Sequence, residues 1–490
     1  ELGYLRVGMV DLLSTNLDGA GALQATDPRA VLAATATSSG GTVTDLETAR
    51  THARRLGAGR LVLGDVVAAG GRLRVSAALY GSEGDETPLA QANAEGDATQ
   101  IFALVDELTA ALVAGQLDGP GRRLERIAAR TTHSMPALKA YLEGEEHWRN
   151  ARAPEAVDAM RRAVELDSSF ALAWYRLAVA QSWEARVEPA EEAMRQAMRY
   201  RDALTDHDRL LVEAYAAIVA GDAERAERLY ETTVARYPTD VEAWAGLGEM
   251  LFHKNPMRGR SFTEARRAYE RILHLEPANG GAAWHLLHVA AREGRAGEVD
   301  TLAQRLLATA TGGAAMSLRL QRALATRDTA AVHALLPALR ASDDFALVLA
   351  VWRAGVVTDD MATLARVAEP LTAPTRLPEV RAVGWTTLAH VEMAGGRWNA
   401  TQVHLDQLAR VDPDLATEYR ALFTASLRTG MTRDSVRAEY ERVRAWTPRD
   451  RPAVPSAADL WVNAHAGLHA QLRAYLLGLL AARMGDTEAA

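Results

Sequence analysis

From about residue 133 the apolar positions follow a helical period, and the predicted helices come in pairs. Ala156, Met160 and Ala163 return as Ala190, Met194 and Ala197, each 34 positions later. Ala226 with Tyr230, and Ala265 with Tyr269, hold the equivalent places, followed by Pro238 and Pro277. Trp174, Trp244 and Trp284 open units at nearly one phase, each trailed by Leu177, Leu247 or Leu287. One helix pair cannot bury its own apolar face, so successive pairs must stack. Small residues such as Gly144, Ala178 and Gly248 predict close backbone approach, with Trp174 and Tyr230 filling the gaps. Turns are predicted at Gly221-Asp222, Gly294-Arg295, Gly395-Gly396-Arg397 and Gly430-Met431, and Pro238, Pro277, Pro413 and Pro448 end second helices.

The repeat is uneven. An insertion, His253–Ser261, stretches the interval from Pro238 to Pro277 to 39 residues. Residues 133–310 read as regular units, 311–380 as degenerate ones, and 381–490 as regular again with the last cut short. A Pro-rich break covers 447–457, Leu460–Met484 reads as a further first helix, and the chain ends as a second helix begins. An open apolar end is expected to need further residues or a packing partner.

Residues 1–118 do not repeat. A helix is predicted over Leu5–Leu17, a short strand at Ala22–Thr26, a helix from Pro28 to about Thr35, and an amphipathic helix at Leu46–Leu56. Strands Arg60–Ala68 and Leu73–Tyr80 read as a hairpin, Leu89–Glu95 as a weaker third strand, and Ile101–Ala114 as a helix. The expectation is a small α/β domain with helices over a mixed sheet, and a linker helix at 119–132. The fold class is therefore mainly α: an α-α superhelix preceded by a small α/β domain.

The spacing of large residue, Leu, small residue, then Ala, aromatic, Ala and Pro resembles the tetratricopeptide repeat, making the superhelix a tetratricopeptide-like solenoid. The order YLRVGMVDLLSTNLDG, ALQATDPRAVL, ARTHARRLGAGR, LVLGDVVAAGGRLRVSAALY, QIFALVDELTAALV is similar to the TolB-like amino-terminal domain. That family opens on an apolar strand, which is missing before the helix at Glu1. In bacteria the domain precedes tetratricopeptide repeats in signalling proteins, including the sensor region of some serine/threonine kinases. The resemblance therefore implies a kinase or DNA-binding segment, with a membrane tether, outside this chain. It favours an extracytoplasmic setting, periplasmic or at the cell surface.

Composition narrows the chemistry. The 490 residues carry 55 Lys+Arg against 63 Asp+Glu, a net charge of -8, which argues against a nucleic-acid partner. With 0 Cys there is no thiolate metal site, disulfide or cysteine nucleophile. No phosphate-binding loop, GxSxG, HExxH, HRD or DFG occurs, so no catalytic residue and no cofactor is expected. His465 with His469, four apart on a predicted helix, and His285 with His288 could each ligate a metal. Both pairs are read instead as polar rims of packed helices, leaving no expected metal site. The neighbouring carboxylates Glu145/Glu146 and Glu191/Glu192 read as solvated surface.

What remains is a surface. In the family the first helices line a concave groove, and the resemblance places Tyr141, Glu145, Trp148, Arg149, Leu172, Tyr175, Val179, Trp183, Leu211, Tyr215 and Ile218 along it. Phe252, His253, His285 and Arg292 continue the line. Tyr141 and Glu145 stand where the family's carboxylate clamp carries Lys and Asn, which argues against a chaperone-tail receptor and for an extended or helical peptide partner. The reading is a non-catalytic protein-interaction scaffold or sensor region. The alternatives are an assembly subunit self-associating through solenoid ends and a small-molecule sensor using the α/β domain.

Overall fold

A computed structural model of the chain describes residues 3–18, 23–36, 45–69, 72–84, 86–97, 100–114, 132, 134–150, 152–184, 186–426, 431–447 and 469–485. Two compact units result, Glu1–His285 and Leu286–Ala490. The fold class is mainly α, with helical hairpins preceded by a small α/β domain.

The first unit begins with α1 (Gly3–Leu17), α2 (Pro28–Ala36) and α3 (Leu46–Leu56). Asp45 caps α3 by accepting the Thr48 N–H, and Gly57, at φ 73°, ends it. Strands β1 (Arg60–Ala69), β2 (Arg72–Gly81) and β3 (Ala90–Asp97) follow, then α4 (Ile101–Ala114). The sheet has the order β1-β2-β3 and is antiparallel throughout, not mixed as expected. The reason is connection length: Ala69 pairs with Arg72 across a tight hairpin, and such short links join only antiparallel strands. Leu73, Val75, Ala77 and Leu79 point alternately into one core with Ile101, Leu104, Leu108 and Leu112 of α4 and with Met9 of α1. The strand expected at Ala22–Thr26 is absent over its described residues, which lack regular structure. Their polar groups bond elsewhere: the Ala25 N–H donates to Asp18 Oδ1 at 3.0 Å, and the Asp27 N–H to the Thr239 hydroxyl at 3.4 Å.

Hairpins then stack: α5 (Met135–Arg149) with α6 (Ala153–Leu166), α7 (Ala171–Trp183) with α8 (Val187–Arg199), α9 (Asp206–Val219) with α10 (Ala223–Arg236), and α11 (Val241–Lys254) with α12 (Arg266–Leu275). Each repeats one design. Gly221, at φ 76°, allows the turn between α9 and α10, and Asp222 caps the second helix. Tyr230 and Tyr269 of the second helices are fully buried, each contributing about 1.5–3 kcal/mol of apolar burial. A Cβ on Gly248 would stand 2.8 Å from Cε1 of Tyr269, so the ring fits only against bare backbone. The insertion after α11 is folded by buried Asn255, whose Nδ2 donates to the Ser261 carbonyl at 3.2 Å. Glu227 fastens it through Arg258 at 2.7 Å and Arg260 at 2.8 Å.

Helix α13 (Gly280–Arg292) leads to the second unit's hairpins: α14 (Ala296–Leu307), α15 (Gly312–Ala325), α16 (Thr329–Ala341), α17 (Asp344–Val357), α18 (Met361–Ala368), α19 (Pro378–Ala394), α20 (Trp398–Val411), α21 (Pro413–Ala425), α22 (Arg433–Ala445) and α23 (His469–Met484). Asp328, Asp343, Asp360 and Asp412 cap α16, α17, α18 and α21. Residues 311–380, which lose the repeat signature, thus keep the helix-pair geometry through capping and buried Leu and Val. No helix among the described residues is long and apolar enough to cross a membrane.

Candidate interaction groove

The first helices of four successive hairpins, α5, α7, α9 and α11, each turn one side toward the chain's own amino-terminal segment. Residues Asp11–Asn16 of α1 and Ala25–Arg29 close over Tyr141, Glu145, Tyr175, Arg176, His207, Leu211 and Glu242, leaving a cavity of about 170 Å³. Helical spacing places those residues together. Tyr141, Glu145 and Arg149 are each four apart on α5, hence on one face.

The cavity wall is an ordered charge network. Arg176 reaches Glu145 at 2.7 Å on one side and Glu242 at 2.5 Å on the other, and the Tyr175 hydroxyl donates to Glu242 Oε1 at 2.5 Å. His207 meets Asp240 at 2.6 Å through Nε2 and Asp208 at 3.4 Å through Nδ1. Carboxylates only accept, so both ring nitrogens carry protons. Although burial opposes it, these two carboxylates raise the His207 pKa. Asp240 also caps α11, accepting the Ala243 N–H at 2.8 Å.

The amino-terminal segment enters this network through two side chains. Asp27 Oδ2 accepts the Val241 N–H at 2.9 Å, supplying a second carboxylate at the start of α11. Arg29 grips Glu276 with two parallel bonds, at 3.1 and 3.3 Å. The Gln24 amide donates to the Arg236 carbonyl. Higher on α5, Arg149 stands 3.7 Å from Asp11. Acids outnumber bases here. Burial, and then the negative charge of Asp240, push the Asp27 pKa up to about 7, against Arg29. Burial likewise pushes Asp11 up to about 7, with Arg149 and Arg176 opposing and Glu145 reinforcing.

The residues expected along the groove fall into several groups. Tyr141 packs on Phe170 at 5.0 Å, and Tyr175, 2% exposed, meets Tyr215 edge-on at 5.8 Å. Trp148 and Trp183 form an edge-to-face pair at 5.8 Å, with Trp183 63% exposed. Phe252 touches both His253 at 5.0 Å and His285 at 4.8 Å. Arg292, in the second unit, is exposed and pairs with Asp359 at 3.1 Å. Glu145 is not the solvated carboxylate expected: it is buried at 7% exposure because Arg176 draws it inward. His285 and His288 are both buried rather than rimming their helix. His465 lies outside the described residues, as does the side chain of His469. Asp27, Arg29, Asp240 and Glu276 carry no periodic signal in the sequence that would tie them to this site.

No family model matches this chain, and no curated protein matches it in sequence. Several solved structures are locally similar. PilW, a widely conserved type IV pilus biogenesis factor, is 17% identical over 43% of this chain and 94% of that chain, with a TM-score of 0.33. PilF of Pseudomonas aeruginosa is 17% identical over 42% and 90%, with a TM-score of 0.31. YrrB, a TPR protein with an unusual peptide-binding site, is 16% identical over 40% and 91%, with a TM-score of 0.23. At such scores these likenesses carry no argument about what this chain binds.

Proposed function

We propose that the chain is a non-catalytic protein-interaction scaffold, binding a peptide or protein segment along the first helices of its hairpins. The observation that carries this reading is the seated segment Gln24–Arg29. An irregular stretch running into a helix is held by a side-chain amide on a backbone carbonyl, a carboxylate on a helix start and a two-pronged arginine. Those are the devices of peptide recognition, here used within one chain. A partner with the same chemistry, an acidic residue followed two positions later by arginine, competes for the same ground. Exposed Trp183, backed edge-on by half-buried Trp148, extends the surface beyond the covered part.

The TolB-like order of residues 1–118 supports placing the scaffold in a bacterial signalling protein, as its sensor region on the extracytoplasmic side. In that reading the repeats from residue 133 receive the partner. Selection from a random peptide library on the full chain carrying Arg29→Glu tests the proposal. Enriched peptides with an Asp-x-Arg core, lost when Glu276→Ala or Arg176→Ala is added, are expected. A released chain that enriches nothing, or enriches the same peptides after both changes, contradicts it.

A further inference from the structure

We propose that Glu249, His253 and His285 form a binding site for a divalent transition-metal ion of the zinc class. Glu249 and His253 sit four apart on α11 and so share a face, and α13 brings His285 against them. Nε2 of His253 lies 3.2 Å from Glu249 Oε2, and Nε2 of His285 lies 3.3 Å from Glu249 Oε1. One ligand atom from each residue falls within 4.8 Å of the others. Donors around a tetrahedral ion at 2.0–2.1 Å stand roughly 3.3–3.4 Å apart, so the histidine–carboxylate spacings already suit one.

The tautomer strengthens the case. Nδ1 of His285 lies 2.9 Å from the Gly281 carbonyl, which can only accept, so Nδ1 carries a proton. In the neutral ring Nε2 therefore presents a lone pair toward a carboxylate oxygen, a repulsive contact that a cation between them turns favourable. A backbone carbonyl behind the distal nitrogen is also how metal-bound imidazoles are commonly oriented. The Tyr269 hydroxyl donates to Glu249 Oε1 at 3.3 Å, and its ring stacks on His285 at 4.6 Å and 7°, fixing both ligands from behind. Phe252 closes another side at 4.8 Å from the His285 ring. His253 is 46% exposed, so the cluster opens to water there, which completes the coordination. Two imidazoles and one carboxylate suit zinc, cobalt or iron(II) rather than calcium or magnesium.

The test is titration of the full chain, stripped with a chelator, with zinc(II) by calorimetry and with cobalt(II) by visible absorption. Expected are one ion per chain and a tetrahedral-type cobalt band. His253→Ala, at a half-exposed position, weakens zinc binding at least about 10-fold. Glu249→Gln does the same, and His333→Ala, on the second unit's surface, leaves it unchanged. Absence of saturable binding, or a His253→Ala chain of native circular dichroism that binds zinc like the parent, overturns the assignment.

Discussion

Arg29 and Glu276, 247 positions apart in sequence, meet as a two-pronged ion pair at 3.1 and 3.3 Å. Glu276 is also held by the Asn279 amide at 2.7 Å, so its carboxylate is aimed before the arginine arrives. Together with Asp27 on the start of α11, this pair seats the amino-terminal segment on the repeat stack.

Arg29→Ala should therefore loosen α2 without unfolding the hairpins. The side chains are 26% and 12% exposed, which puts the loss at about 1–3 kcal/mol, below that of a fully buried pair. Hydrogen exchange should speed up in residues 28–36 and stay unchanged in α10 and α12. Equal protection of residues 28–36 in both proteins would show that the ion pair does not hold the segment.

Docking should also depend on pH. Asp27 faces Asp240 and Arg29, while Asp11 faces Glu145, Arg149 and Arg176; both carboxyls are pushed up to about 7 from the ordinary value of 3.8. The docked state therefore holds extra protons between those values. Docking is strongest below about pH 4 with respect to these groups and weakens as pH rises through about 7. Each group contributes on the order of 1 kcal/mol per pH unit while it titrates. Protease resistance of residues 23–36 should be higher at pH 5.5 than at pH 8. Asp27→Asn should flatten that difference while preserving the bond from Val241 N–H.

The repeats were legible because their signal is local and periodic. Ala156, Met160 and Ala163 recur 34 positions on, and the structure packs each copy into the same kind of helix interface. Turn chemistry was equally readable: Gly221, Gly294 and Gly396 all take positive φ, at 76°, 72° and 70°. The covered groove was not. Its contacts are single events between distant residues, and nothing near Glu145 in sequence announces that Arg176 will bury it. The irregular stretch at 23–27 alternates like a strand, but hydrogen-bond partners decide strands, and its partners are Asp18 and the repeat stack. The histidine cluster is half legible: Glu249 and His253 share a face of α11 by their spacing, but His285 meets them only across two helices.

Two glycines separate rigid from yielding packing. On Gly248 a Cβ would meet the Tyr269 ring at 2.8 Å, and on Gly144 it would meet the mobile Cε end of Met160 at 2.7 Å. Gly248→Ala should cost about 1–3 kcal/mol, because the ring is wedged against His285. Gly144→Ala should cost less, since a methionine can swing aside. Thermal unfolding of both variants checks the order, and a larger loss at Gly144 would reverse it.

The central claim, that the hairpins' first helices recognise a peptide and are partly filled by the chain's own segment, has one direct test. A labelled peptide spanning residues 22–36 is titrated, by fluorescence anisotropy, into the full chain and into its Arg29→Glu variant. The tethered segment competes at an effective concentration near millimolar, so the parent should bind the free peptide at least about 10-fold more weakly than the variant. Equal affinity for both chains, or no binding to the variant, would contradict the account.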